Sequence, residues 1–248
     1  MRIVSYNIRF GGRGRTAYLG EVIRELEPDV VLLQEAFDPA AVDQVARVAE
    51  IEGVYRQPGW SVAALTREPA LACAWHRPGR LRGFVELHPA GEPGLRLIGL
   101  HLPAGLSRRG ERARMRHVDA LVAWAGGPGE STLLVGDLNA VARGDVPRVR
   151  AMPLWLRLLL HVNGPIRTDV VDALGKAGWV DAYRRLHPDD HGFTLPAADP
   201  QVRLDYLMVP ASLADRVEAC APATDVRLAP VASDHLPLVA DLRPFDAG

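Results

Sequence analysis

Apolar residues along this chain gather in short blocks of two kinds. Some run without a polar break, as in VVLLQ at 30–34 and TLLV at 132–135. Runs of this length bounded by turn residues predict strands covered on both faces. On this basis strands are predicted at 2–6, 30–34, 61–66, 81–87, 95–100, 132–135 and 204–209, around 217–220, and at 238–242. In other blocks apolar residues recur every three or four positions. Over 17–26 that spacing puts Leu19, Val22, Ile23 and Leu26 on one helical face. Glu27-Pro28 ends this helix, because proline has no N–H to donate and disfavours helical geometry in its predecessor. A more polar helix is predicted over 109–124. Strands interleaved with helices imply α/β or α+β layers around one core. No Gly/Ser-rich linker and no repeat breaks the chain, so a single domain over 1–248 is expected. The region 142–193 reads as irregular, with an insertion around 142–170.

Composition changes this picture in two respects. With 248 residues, 48% of them hydrophobic, the chain sustains one well-buried core. Lys+Arg is 29 and Asp+Glu 30, a net charge of −1, which excludes binding of nucleic acid by bulk positive charge. Lys176 is the single lysine. That skew reads first as coding bias, yet arginine is also the cation that forks onto phosphate. Cys73 and Cys220 lie in no metal-binding spacing. The start MRIVSYN lacks the apolar core of a signal peptide, and no run reaches about 18 apolar residues, so a cytoplasmic chain is expected.

The chemistry falls where strands end. Asn7 follows the first predicted strand, Glu35 the second, and His101 the run LRLIGL. Asp137 and Asn139 follow TLLVG, Asp205 sits in RLDYLMV, and Asp234 and His235 precede the last strand. Any one of them alone reads as a turn former or a cap. As a set they bring hard oxygen ligands suited to Mg²⁺ or Mn²⁺, with too few histidines for a zinc site. A hard cation, a carboxylate to orient water and imidazoles to manage charge suit hydrolysis of a phosphoester.

The segments VSYNIRFGG, PDVVLLQEA, LIGLHL, LLVGDLNA, GFTLP with RLDYLMV, and ASDHLPLVADL run in order over nearly the whole chain. Together they resemble the motifs of the endonuclease/exonuclease/phosphatase superfamily, the group of pancreatic deoxyribonuclease, exonuclease III, neutral sphingomyelinases and inositol phosphatases. The resemblance implies a four-layer αββα sandwich, two packed and mainly antiparallel sheets flanked by helices, with the site at one end. It implies Glu35 as the main Mg²⁺ or Mn²⁺ ligand, Asn7 beside it, and Asp234 in the metal shell. It also implies that Asp137 orients or deprotonates the attacking water and that Asn139 holds the phosphate or that water. His235, hydrogen-bonded to Asp205, would face the scissile phosphate, and His101 would contact phosphate or protonate the leaving oxygen. In the apurinic-site branch a Tyr-x-Pro-Asn segment stands where this chain has GLHLPAG, which speaks against abasic-site repair. No acidic partner for His101 is evident. Glu68 lies in the right stretch but reads as an exposed loop residue.

Three features lie outside these motifs. In SRRGERARMRH, Arg109, Arg112 and Arg116 share one helical face. They would either track a phosphate backbone or form a solvated face paired with Glu111 and Asp119. MPLWLRLLLHV at 152–162 is too short to span a bilayer. It reads either as an apolar lid or membrane-touching element beside the site or as a helix or insertion packed on the core. The five tryptophans are either core or, in part, a base-stacking platform. The favoured reading is an Mg²⁺/Mn²⁺-dependent phosphoric ester hydrolase, a phosphodiesterase acting on nucleic acid. A lipid or small-molecule phosphodiesterase is the first alternative, and a non-catalytic phosphate-binding module on the same fold is the alternative of another class. Nothing in the sequence sets the oligomeric state, and a monomer is the default.

Overall fold

The computed structural model describes residues 1–244. Its strands form two six-stranded sheets. The first comprises β1 (Arg2–Asn7), β2 (Val30–Gln34), β3 (Gly53–Tyr55), β4 (Val62–Thr66), β11 (Val217–Pro222) and β12 (Leu238–Leu242), in the order β11-β12-β1-β2-β4-β3. The second comprises β5 (Ala72–His76), β6 (Phe84–His88), β7 (Arg96–His101), β8 (Thr132–Asp137), β9 (Trp179–Asp181) and β10 (Asp205–Pro210), in the order β5-β6-β7-β8-β10-β9. The helices are α1 (Thr16–Leu26), α2 (Pro39–Val48), α3 (Arg108–Ala125), α4 (Leu154–Asn163), α5 (Asp169–Lys176), α6 (Ala182–Leu186) and α7 (Ala229–Ala232). The β1–β2 and β7–β8 pairs are parallel, bridged by α1 and α3, while the other pairings between these strands are antiparallel. A helix is the usual connection wherever strands run parallel.

The unbroken apolar runs follow from this layering. In β2, Val30 and Leu32 enter the core between the sheets with Ile3, Leu97 and Leu133. Their neighbours Val31 and Leu33 pack outward with Val4, with Leu19 of α1 and with Val45 of α2. In β8, Leu133 and Val135 point inward, and Leu134 packs outward with Leu121 of α3 and Leu174 of α5. Central strands thus have both faces covered, and the fold is the αββα sandwich.

Two expectations change. The strand predicted to begin at 81 begins at Phe84, because the Leu81 N–H turns back onto the Pro78 carbonyl (3.1 Å). The region 142–193 is also more ordered than its pattern suggested. It holds α4, α5, β9 and α6, and it is anchored by Arg203, a fully buried side chain that bridges Asp145 (3.0 Å) and Asp181 (2.7 Å). Within it α4 is the exception, since it buries none of its residues.

Register delivers the polar residues to one end. In the second sheet His101 pairs with Asp137, and Asp137 with Asp205. In the first, Asn7 pairs with Gln34, and Glu35 is the next residue. Gly136 makes the close approach possible: a Cβ there would lie 2.0 Å from the Leu100 carbonyl oxygen, one position before the His101–Asp137 pair.

Candidate active site

Asp137 is the hub. It is fully buried at the end of β8, and Asn139 curls back over it at φ 48°. The Asn139 backbone N–H donates to Asp137 Oδ1 (2.7 Å) and its amide Nδ2 to Oδ2 (3.0 Å). From the facing sheet, Asn7 Nδ2 donates to the same Oδ2 (3.0 Å) and reaches Glu35 Oε1 (3.4 Å). Burial raises the Asp137 carboxyl to about 7; Asp205 adds to the shift, while His235 and the donated hydrogen bonds oppose it. The oriented, buried carboxylate is placed to accept a proton from a water molecule in the site.

His235 stands on one side. Its Nδ1–H donates to Asp205 Oδ2 (2.8 Å), and Asp137, Asp205 and His235 each place a ligand-capable atom within 4.8 Å of the others. Burial alone would lower this imidazole. The Asp205 carboxylate outweighs it, with Asp137 and Asp234 adding, and raises the ring to about 10, so it is cationic at neutral pH. His101 stands on the other side, its Nε2 3.9 Å from Asp137 Oδ2. Burial first, then the charges of Arg82 and His235, push this ring down to about 3, so it is neutral.

Arg82 is the site residue that sequence reasoning missed. Its Nη1 lies 3.3 Å from His101 Nδ1 and 3.4 Å from Nε2, and among the described residues no carboxylate pairs with it. It lies on the β5–β6 connection, in HRPGRLRG, where no motif sets it apart from its neighbouring arginines. Glu68, the acid considered for His101, is exposed near Met1 and Asp29, at the opposite ends of the strands.

Glu35 sits just past β2 at φ 55°, partly exposed, with Oε2 accepting the Phe10 N–H (2.6 Å). Asp234 lies on the rim and faces Arg9 (3.4 Å). Arg109, Arg112 and Arg116 are exposed on α3. Glu111 does not pair with them; it is buried and bound to Arg114 (2.6 Å). Among the described residues none of the three has a carboxylate partner. His76 and His88 bond Glu86 on β6, away from these groups.

A divalent ion fits these donors. Asp137 and Asp205 are fully buried, Glu35 is adjacent, and His235 is the cation that compensates them. Asp205 Oδ1 is buried without a partner. This surplus of hard, negative oxygen is costly unless a further positive charge offsets it.

A four-layer sandwich that gathers acids, amides and two imidazoles at one end of its sheets is the framework of a phosphoester hydrolase. The chain belongs to the Endonuclease/Exonuclease/phosphatase family, which it matches over residues 4–235. Among curated proteins no sequence matches it. Solved structures share its fold at low identity. An AP endonuclease from Archaeoglobus fulgidus is 21% identical with a TM-score of 0.75. A 3′ phosphatase from Neisseria bound to a product DNA hairpin is 16% identical (TM-score 0.73), and a 3′-5′ exonuclease from Neisseria meningitidis is 17% identical (0.72). Each alignment covers 98% of this chain and 99% of the other.

Proposed function

We propose that the chain hydrolyses phosphodiesters with the help of Mg²⁺ or Mn²⁺, and that nucleic acid is its substrate class. The observation that carries this reading is Asp137, buried and oriented by two amides between a cationic and a neutral imidazole. Glu35, Asn7 and Asp234 would hold the ion. When bound, the ion supplies Lewis-acid polarisation of a phosphoryl oxygen. Asp137 takes the proton of the attacking water. His235, fixed by Asp205, directs Nε2–H at a non-bridging oxygen as charge grows there. The Asn139 amide orients the water or the phosphate. Because His101 is neutral, an N–H hydrogen bond to the phosphate suits it better than proton donation, and Arg82 beside it supplies the positive charge.

Nucleic acid is supported by the unpaired arginine face of α3 and by DNA-directed proteins among the structural neighbours. A lipid phosphodiester is the second reading, favoured by the exposed apolar face of α4. Among the described residues no helix is long and apolar enough to cross a membrane. A cytoplasmic location belongs to this reading and is supported by two free cysteines.

The test is a substrate panel: single- and double-stranded DNA, RNA, phospholipid vesicles and bis-p-nitrophenyl phosphate, each with Mg²⁺, Mn²⁺ or EDTA. Hydrolysis of DNA and of the small diester is expected with metal and abolished by EDTA. Cleavage of lipid alone would retire the nuclease reading. Silence on every substrate would make the chain a phosphate-binding module.

A further inference from the structure

We propose that α4 and the turn after it dock the protein on an anionic lipid bilayer, which sets the candidate site at the membrane surface. Leu154, Trp155, Leu158, Leu159 and Val162 are between 42% and 81% exposed, and Ile166, in the turn after the helix, is 37% exposed. A helix of 10 residues gains little from its own hydrogen bonds in water, and of its apolar residues this one turns only Leu156 and Leu160, both half-buried, toward the rest of the chain. An outward apolar face of this kind marks an interaction surface.

Charge selects the occupant. From 146 to 168 the chain carries Arg148, Arg150, Arg157 and Arg167 and no acidic residue. Arg148 pairs with Asp199; among the described residues the other three have no carboxylate partner. A second copy of this face would set these cations against their own kind. A nucleic acid would satisfy the arginines and stack on Trp155, but the four aliphatic side chains would stay in water. An anionic bilayer takes both: the leucines, Val162 and Trp155 enter below the headgroups, and the arginines lie among the lipid phosphates.

The same segment borders the site. A cavity of about 270 Å³ runs under α4, lined on one side by Leu156, Leu160 and Met152, and it reaches Asn139. Seating α4 in a membrane therefore brings the Asn139 side of the site to the headgroup layer. Docking stands whichever phosphodiester is cleaved; the meaning of that placement rests on the hydrolase reading above.

Flotation with vesicles of phosphatidylcholine containing about one-third phosphatidylglycerol, against pure phosphatidylcholine, tests the proposal. The protein is expected to float with the anionic vesicles and not with the neutral ones. The variant Trp155→Ser/Leu158→Ser/Val162→Ser, altered only at exposed positions, is expected to bind about a hundredfold more weakly. Arg150→Gln/Arg157→Gln is expected to bind about tenfold more weakly. Hydrolysis of bis-p-nitrophenyl phosphate by all three proteins reports separately on the catalytic reading. No binding to anionic vesicles, equal binding to both vesicle types, or unchanged binding by the serine variant would each overturn docking. So would a serine variant whose only losses are in binding to an oligonucleotide or in self-association. A protein that floats but hydrolyses nothing keeps the docking and removes the hydrolase.

Discussion

The two flanks of Asp137 are built from opposite charges. On one flank His235 sits among Asp205, Asp137 and Asp234. On the other, His101 lies against Arg82, and the chain runs on from it into α3, which turns Arg109, Arg112 and Arg116 outward. The two rings are buried alike, at 6% and 5% exposure, yet one titrates at about 10 and the other at about 3. Equal burial cannot produce that gap; the neighbouring charges do. The comparison teaches that the role of a histidine follows from its partner and not from its position in a motif. The acid flank stores a proton on its ring before substrate arrives. On the arginine flank burial, with Arg82 adding, keeps the ring neutral, and the positive charge lies on guanidinium groups.

The acid flank is where substitution costs most. Asp137→Asn and His235→Ala are each expected to lower kcat on bis-p-nitrophenyl phosphate by about a thousandfold or more. Asp205→Asn follows at about a hundredfold, since the imidazolium loses the carboxylate that fixes its orientation. Steady-state kinetics measures the losses, and circular dichroism checks that the fold persists. Near-full activity in any of the three breaks the assignment of chemistry to this flank.

The acid flank was legible in the sequence, and so was His101 on the other, at the end of LRLIGL. Asn7, Glu35, Asp137, Asp205 and His235 each stand at or near the end of an apolar run, and strand register carries such positions to the same edge. The layers were legible for the same reason, because strands with two covered faces must be apolar throughout. Arg82 was not legible. It lies in an irregular connection, and its neighbour His101 arrives from a different strand through sheet pairing. The short strands β3 and β9 were missed because three residues are too few to show a period. The face of α4 could be seen as apolar, but sequence alone left its packing open. That choice depends on whether a neighbouring element covers the face, and none does so within the chain as described.

Arg82 tests the second flank. Arg82→Ala is expected to lower kcat/KM by about ten- to a hundredfold, through loss of a positive charge near the phosphate. The direction for His101 follows from the sign: removing a nearby cation favours the charged ring, so its titration moves up from about 3. Proton-detected NMR of the ring reads that shift. Arg82→Lys should keep the unit charge and lose the planar guanidinium whose Nη1 lies against the imidazole. Unchanged kcat/KM together with an unmoved His101 would detach Arg82 from the site and leave the second flank without a charge of its own.

The smallest effect is expected at the outer end of the same flank. Arg109→Gln/Arg112→Gln/Arg116→Gln removes three exposed charges that no carboxylate neutralises. Contacts of this kind position a polyanion without touching the reacting bond, so the loss belongs in KM and not in kcat. At low salt KM for a DNA oligonucleotide is expected to rise about tenfold, with a shallower dependence on salt concentration. The small diester bis-p-nitrophenyl phosphate spans too little to reach α3, and its kinetics should not change. A rise for both substrates would mean that the helix supports the site mechanically. No change for either would end the arginine flank at Arg82 and leave the face of α3 as solvated surface.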